Sequence, residues 1–159
     1  MLAFLFFVLF FVRCHRDDRR MIPYRMLQFW DAKLHRVSRP AALFLDQVRA
    51  QPILNIQQLN PLLFEGVPLL RNCYRLRVQI AHLIDAICGV RKARNRPSPG
   101  TAAKLRNAIG RAFGSLSRGH LCVTADLYSL EDLLQIQSGR LMPTLETVLL
   151  ALFPLLDGE

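Results

Sequence analysis

An all-α fold is what this sequence predicts: a multi-helix bundle ending in a helix-turn-helix-like unit, with a short apolar helix at the N-terminus. Three observations carry that expectation. Apolar residues make up 52% of the 159 residues and charged residues 21%, enough to build a core and too apolar for intrinsic disorder. From Leu69 to Arg94, the residues Cys73, Leu76, Ile80, Leu83, Ile87 and Val90 recur at alternating three- and four-residue steps, the seam of a packed helix. Between Gln135 and Thr147 a polar break holding Gly139 and Pro143 separates two apolar helical runs.

Residues 2–12 are an uninterrupted apolar run followed by Arg13, Arg16, Arg19 and Arg20. As a helix the run is about 16 Å long, roughly half the hydrocarbon core of a bilayer. Its positive charges follow the apolar stretch rather than precede it, unlike those of a signal peptide. Three readings stay open. The run is an anchor that sets Leu5, Phe6, Phe7, Leu9, Phe10 and Phe11 in a membrane with Arg13 at anionic head groups, a helix covered by a partner, or a stretch upstream of a true start at Met21.

Tyr24 to Val37 reads as a basic amphipathic helix, with Met26 or Leu27, Trp30, Leu34 and Val37 on one side and Arg25, Lys33 and Arg36 on the other. Pro40 starts a further helix to Arg49 with Leu43, Phe44 and Val48 inward, and Pro52, Pro61 and Pro68 cut the following Leu-rich stretch into short pieces. Gly66 and Pro68 mark a turn before the long helix, whose seam suits an intramolecular face or a homodimer. Arg91, Lys92, Arg94 and Arg96 close that helix with cations that favour a helix C-terminus. Pro97-Ser98-Pro99-Gly100-Thr101 reads as a linker, and Thr101 as the cap of a helix with Leu105, Ile109, Ala112 and Phe113 inward. The expected organisation is an apolar segment with a basic flank at 1–20, a basic helical region at 21–96, a linker at 97–101 and a second helical unit at 102–159.

In that last unit Ser129 can cap a helix from Leu130 to Ile136, with Asp132 at capping-box spacing, and Thr144 can cap a second helix carrying Leu145, Val148, Leu149 and Leu152. The segments Leu116-Ser117-Arg118-Gly119-His120-Leu121-Cys122, Ile136-Gln137-Ser138-Gly139 and Pro143-Thr144-Leu145-Glu146-Thr147-Val148 together resemble a Cro/C1-type helix-turn-helix domain over about residues 102–156. The resemblance implies a small DNA-binding transcriptional regulator without catalysis. Leu130, Gln135 and Gln137 would then face the major groove while Arg118, Arg140 and the run Arg91, Lys92, Arg94, Arg96 contact phosphate.

Charge favours a different emphasis. Residues 1–100 hold 16 Lys and Arg against 6 Asp and Glu, whereas residues 101–159 hold 5 against 6. The basic field of the N-terminal part suits nucleic acid, anionic lipid or an acidic protein. The alternative expectation is therefore a membrane-associated basic α-helical interaction or structural protein, in or on the cytoplasmic side, possessing the makeup of a subunit of a larger complex.

Cys14, Cys73, Cys88 and Cys122 form no Cys-x-x-Cys pair, and His15, His35, His82 and His120 are scattered, so neither a metal site nor any other cofactor is expected. Phosphate-loop, zinc-protease and nucleophile-elbow motifs are absent, and the twelve carboxylates are dispersed, so no enzyme is expected either.

Overall fold

A computed structural model describes residues 18–89, 99–113 and 118–156. The described chain is helical with two minimal antiparallel strand pairs, which agrees with the all-α expectation. The apolar run at 2–12 and the basic run at 91–96 lie outside the described residues.

The first strand pair encloses a short helix. β1 (Arg19–Met21) is followed by α1 (Pro23–Phe29) and returns as β2 (Leu34–Arg36), with Arg19 opposite Arg36 and Met21 opposite Leu34. The amphipathic helix expected to reach Val37 therefore stops at Phe29. Trp30 adopts the left-handed conformation (φ 53°) and donates its backbone N–H to Arg25 and Met26 carbonyls. Asp31 then accepts from the Lys33 backbone N–H at 2.9 Å and from Arg25 Nε at 2.9 Å. A carboxylate that binds the backbone two residues on offers the chain a turn in place of another helical turn. That Lys33 N–H, with Arg25 beside it, holds the Asp31 carboxyl down at about 2.

α2 (Arg39–Val48) is capped by Ser38, whose Oγ accepts from Ala41 N, and it buries Ala41, Ala42 and Leu45. The inward face expected from Leu43, Phe44 and Val48 is thus rotated: Leu43 and Phe44 are exposed. β3 (Leu54–Asn55), α3 (Ile56–Leu59) and α4 (Leu63–Gly66) are the short pieces that the prolines impose. They lead into α5 (Pro68–Gly89), the long helix.

α6 (Pro99–Phe113) begins two residues before Thr101, and α7 (His120–Val123) is a single turn. β4 (Leu127–Tyr128) pairs with β3 and joins residues more than 70 positions apart, Leu54 to Tyr128. α8 (Leu130–Gln137) and α9 (Leu141–Leu156) complete the chain. The expected capping box at α8 is present: Ser129 Oγ accepts from Asp132 N, and Asp132 accepts from Ser129 N. Thr144 does not cap α9, which starts earlier at Leu141; its hydroxyl donates to the Arg140 carbonyl instead.

One apolar cluster joins these elements. The α5 residues Cys73, Leu76, Ile80 and Ile87 are buried among Leu121, Leu133, Ile136, Leu141, Leu145 and Leu152. The heptad seam is therefore consumed inside the chain by α9, α7 and α8, which corrects the homodimer expected through Cys73, Leu76, Ile80, Leu83, Ile87 and Val90. Val90 lies outside the described residues.

The turn between α8 and α9 is closed by Gly139 N donating to Ile136 O and Arg140 N to Gln135 O, with Gly139 at φ +72°. No atom lies within 4 Å of an added Cβ there, so a side chain would meet only backbone strain. Gly139→Ala is expected to destabilise by about 1 kcal/mol, with no loss of cooperativity in urea unfolding. A neutral or stabilising effect would place that turn in another conformation in solution.

Candidate functional site

The polar centre of the molecule is Arg77, a fully buried residue in the middle of α5. Its neighbours along the helix explain the position: Cys73, Leu76 and Ile80 face the core, and Arg77 shares their side. The guanidinium meets the loop from His120 to Leu127. Nε donates to the Leu121 carbonyl at 3.1 Å, and Nη2 to the carbonyls of Thr124 at 2.7 Å, Leu127 at 2.8 Å and His120 at 3.3 Å. The same group lies 4.1 Å from the centre of the Tyr128 ring. A buried charge is costly unless it is hydrogen-bonded, and a planar fork is suited to several acceptors at once.

A second polar pair sits beside it. Asp132 is fully buried, its Oδ2 lies 2.8 Å from His120 Nε2, and its Oδ1 accepts from Arg118. Arg118 also donates to Gln135 Oε1 at 2.7 Å. Burial pushes the Asp132 carboxyl up, but the hydrogen bonds from His120, Ser129 and Arg118 outweigh it and hold the group below the ordinary carboxylate range. Arg77 thus pins the loop through its carbonyls and Asp132 through the His120 side chain.

Chemically these groups are engaged in structure. A His and Asp pair orients a general base only when the other ring nitrogen faces a reacting group; His120 Nδ1 is buried with no hydrogen-bond partner among the described residues. Burial raises the Cys73 thiol to about 12 and the Cys122 thiol to about 11, far from nucleophilic thiolates. Among the described residues no three His, Cys, Asp or Glu side chains gather as metal ligands.

The residues expected to read DNA are placed otherwise. Leu130, Leu133 and Ile136 of α8 are buried, Glu131 is bound to Arg49 at 2.6 Å, and Gln137 Nε2 donates to the Trp30 carbonyl at 3.1 Å. Gln135 is engaged by Arg118, and Arg118 by Asp132. A recognition helix must present one face to the major groove, whereas α8 is packed against α5 and α9 and carries Glu131 and Asp132 in its first turn, where phosphate would lie. Arg140 is exposed at the turn. Arg91, Lys92, Arg94 and Arg96, like the membrane-contact set Leu5, Phe6, Phe7, Leu9, Phe10, Phe11 and Arg13, lie outside the described residues.

Among the described residues, several large apolar side chains are exposed. Leu150 is 69% exposed and Phe153 50% on α9, turned away from the buried Leu145, Val148 and Leu152, while Leu156 at the helix end is partly exposed. The segment Val148 to Leu156 is apolar on all sides, a pattern that belongs to a covered helix. Tyr24 and Phe29 form a second exposed pair in edge contact, with ring centres 6.3 Å apart. The importance of Arg77 and of the α9 outer face was not recognised in the sequence, although an arginine between Leu76 and Ile80 in a seam was a visible signal.

The model of the Rubicon homology domain matches residues 6–153. Two similar proteins are pleckstrin homology domain-containing family M member 3 of Xenopus laevis, 36% identical over 132 residues, and that of Homo sapiens, 34% identical over 136 residues. The matches cover 83% and 86% of this chain but only 16% of either relative, so the chain spans about a sixth of their length. The match extends through nearly all of the stretch that resembles a Cro/C1 domain and replaces that resemblance, and with it DNA as the partner and transcriptional regulation as the role.

Two predictions follow from the buried centre. Arg77→Met, and equally Arg77→Lys, is expected to destabilise by about 3 kcal/mol, since neither side chain can serve four carbonyls, against under about 0.5 kcal/mol for Arg75→Met on the exposed side of α5. Urea midpoints at constant m-value would measure this, and an Arg77→Lys variant as stable as the parent would contradict it. For Asp132 the folded carboxyl titrates below the unfolded one, so its stabilisation is complete above the ordinary carboxylate value of 3.8 and disappears as pH falls below it. Asp132→Asn should be less stable than the parent at pH 7 and should lose less stability on acidification from about pH 5 to pH 2; parallel stability curves would rule out this role.

Proposed function

The chain belongs to the Rubicon homology domain family. From that premise we propose that it is a non-catalytic, basic α-helical interaction domain whose partner is a protein. The observation that carries the reading is the outer face of α9, where Leu150 and Phe153 stand in water on a helix whose second half, Val148 to Leu156, is all apolar. Scattered exposed leucines are ordinary, but a stripe of them along a helix otherwise built for burial marks a surface that another molecule covers.

Two further points support it. The matched relatives are proteins named for a pleckstrin homology domain, and the region shared with this chain is a small part of them, as expected of one module among several. The polar groups that resemble catalytic ones hold the loop between His120 and Leu127 in place. Free, buried Cys73 and Cys122 suit a reducing compartment, and we assign the domain to the cytoplasm on that basis.

The test is proximity cross-linking in cells with the full chain and with a Leu150→Glu/Phe153→Glu variant. Both substituted side chains are outside the core, so the thermal midpoint should stay within about 3 °C of the parent. Specific protein cross-links formed by the parent should fall at least about tenfold in the variant. Cross-links of equal yield in both would refute the assignment of that face.

A further inference from the structure

Beside the outer face of α9 runs a groove that the described residues leave open, with a volume of about 410 Å³. One wall is α6, which contributes Lys104, Asn107, Ala108 and Arg111; the other is α9, which contributes Thr147, Ala151 and Leu155. The spacings are helical stripes, i, i+3, i+4, i+7 on α6 and i, i+4, i+8 on α9. At 1.5 Å per residue the walls run alongside each other for about 10–12 Å, two helical turns.

Its chemistry is divided between its walls. Ala108, Thr147 and Ala151 are small and Leu155 is apolar, so a third helix could approach closely enough for side chains to interdigitate. The α6 wall is cationic: Lys104 and Arg111 line it, and the helix carries no Asp or Glu. Neither wall offers a strand edge for an extended peptide to pair with.

We propose that this groove receives an acidic amphipathic helix from a partner protein. The apolar stripe of that helix lies on Ala108, Ala151 and Leu155, and its Asp or Glu residues face Arg111 and Lys104. Two turns of groove match the i, i+3, i+4, i+7 anchors of such a helix. The like-signed α6 wall selects the sign of its flank. The proposal rests on the interaction-domain reading and adds to it the class of partner segment and the seat it occupies.

The experiment uses the full chain and two fluorescent designed peptides of about 18 residues, each with leucines at i, i+3, i+4 and i+7. One carries Glu on both flanks and the other Lys. By anisotropy the Glu peptide should bind at least about tenfold tighter than the Lys peptide, and its affinity should decline with added salt. Ala151→Arg, which fills the floor, and Arg111→Glu, which reverses the wall, should each weaken the Glu peptide about tenfold while circular dichroism stays that of the parent. Equal binding of the two peptides, or groove variants that bind like the parent, would overturn the proposal. So would displacement of the Glu peptide by phosphatidylserine vesicles, which would reassign the cations to lipid. Loss of peptide binding with the α9 cross-links intact would remove the groove and leave the interaction reading standing; loss of both would remove the two together.

Discussion

The structure depends on burying one positive charge. Arg77 stands in the middle of the longest helix, fully enclosed, and its Nε and Nη2 groups draw four backbone carbonyls from the loop between His120 and Leu127. Two of those carbonyls, His120 and Thr124, also accept the backbone N–H groups of Thr124 and Leu127, and the guanidinium adds a second hydrogen bond to each. With it, Leu121 and Cys122 are carried to full burial against α5, and β4 is positioned to pair with β3. The position of α8 follows, because Ser129 caps it directly after β4 and Asp132 turns back to hold His120 and Arg118.

That arrangement explains which parts of the fold were legible in the sequence. Local chemistry was readable: Ser129 with Asp132 as a capping box, Gly139 as the turn, the period of α5, and the prolines that shorten the elements before it all appear as expected. Long-range competition was not. The helix expected to extend to Val37 is ended by Asp31, and its last carbonyls are held by side chains 33 and 107 positions away, those of Asn60 and Gln137. The α2 face was misread because Ala41 and Ala42 pack more tightly than Leu43 and Phe44, and periodicity alone does not rank small residues above large ones.

The candidate site was less legible, for a related reason. Helices around a glycine turn occur in many folds, and the residues of α8 that look like a reading head are also the residues of an ordinary buried helix. What separates the two is whether Leu130, Leu133 and Ile136 meet neighbours or solvent, which a single sequence does not state. Charge was the better guide. The excess of cations before residue 100 and the near-neutral balance after it already disfavoured a DNA-binding head in the C-terminal unit.

The division between interior and surface points the same way. An interaction face should be exposed without the fold relying on it, and a fold can leave Leu150 and Phe153 in water only if its stability comes from elsewhere. Here it comes from the opposite side of the same helix, where Leu145, Val148 and Leu152 meet α5, and from the charged centre below. α9 therefore serves two surfaces at once, one facing the core and one facing outward. Because Leu141, Leu145, Val148 and Leu152 are fully buried, the helix cannot rotate its exposed leucines inward without bringing equivalent apolar groups out. Leu150 and Phe153 therefore stay on the outer side of α9, next to the groove that α9 forms with α6.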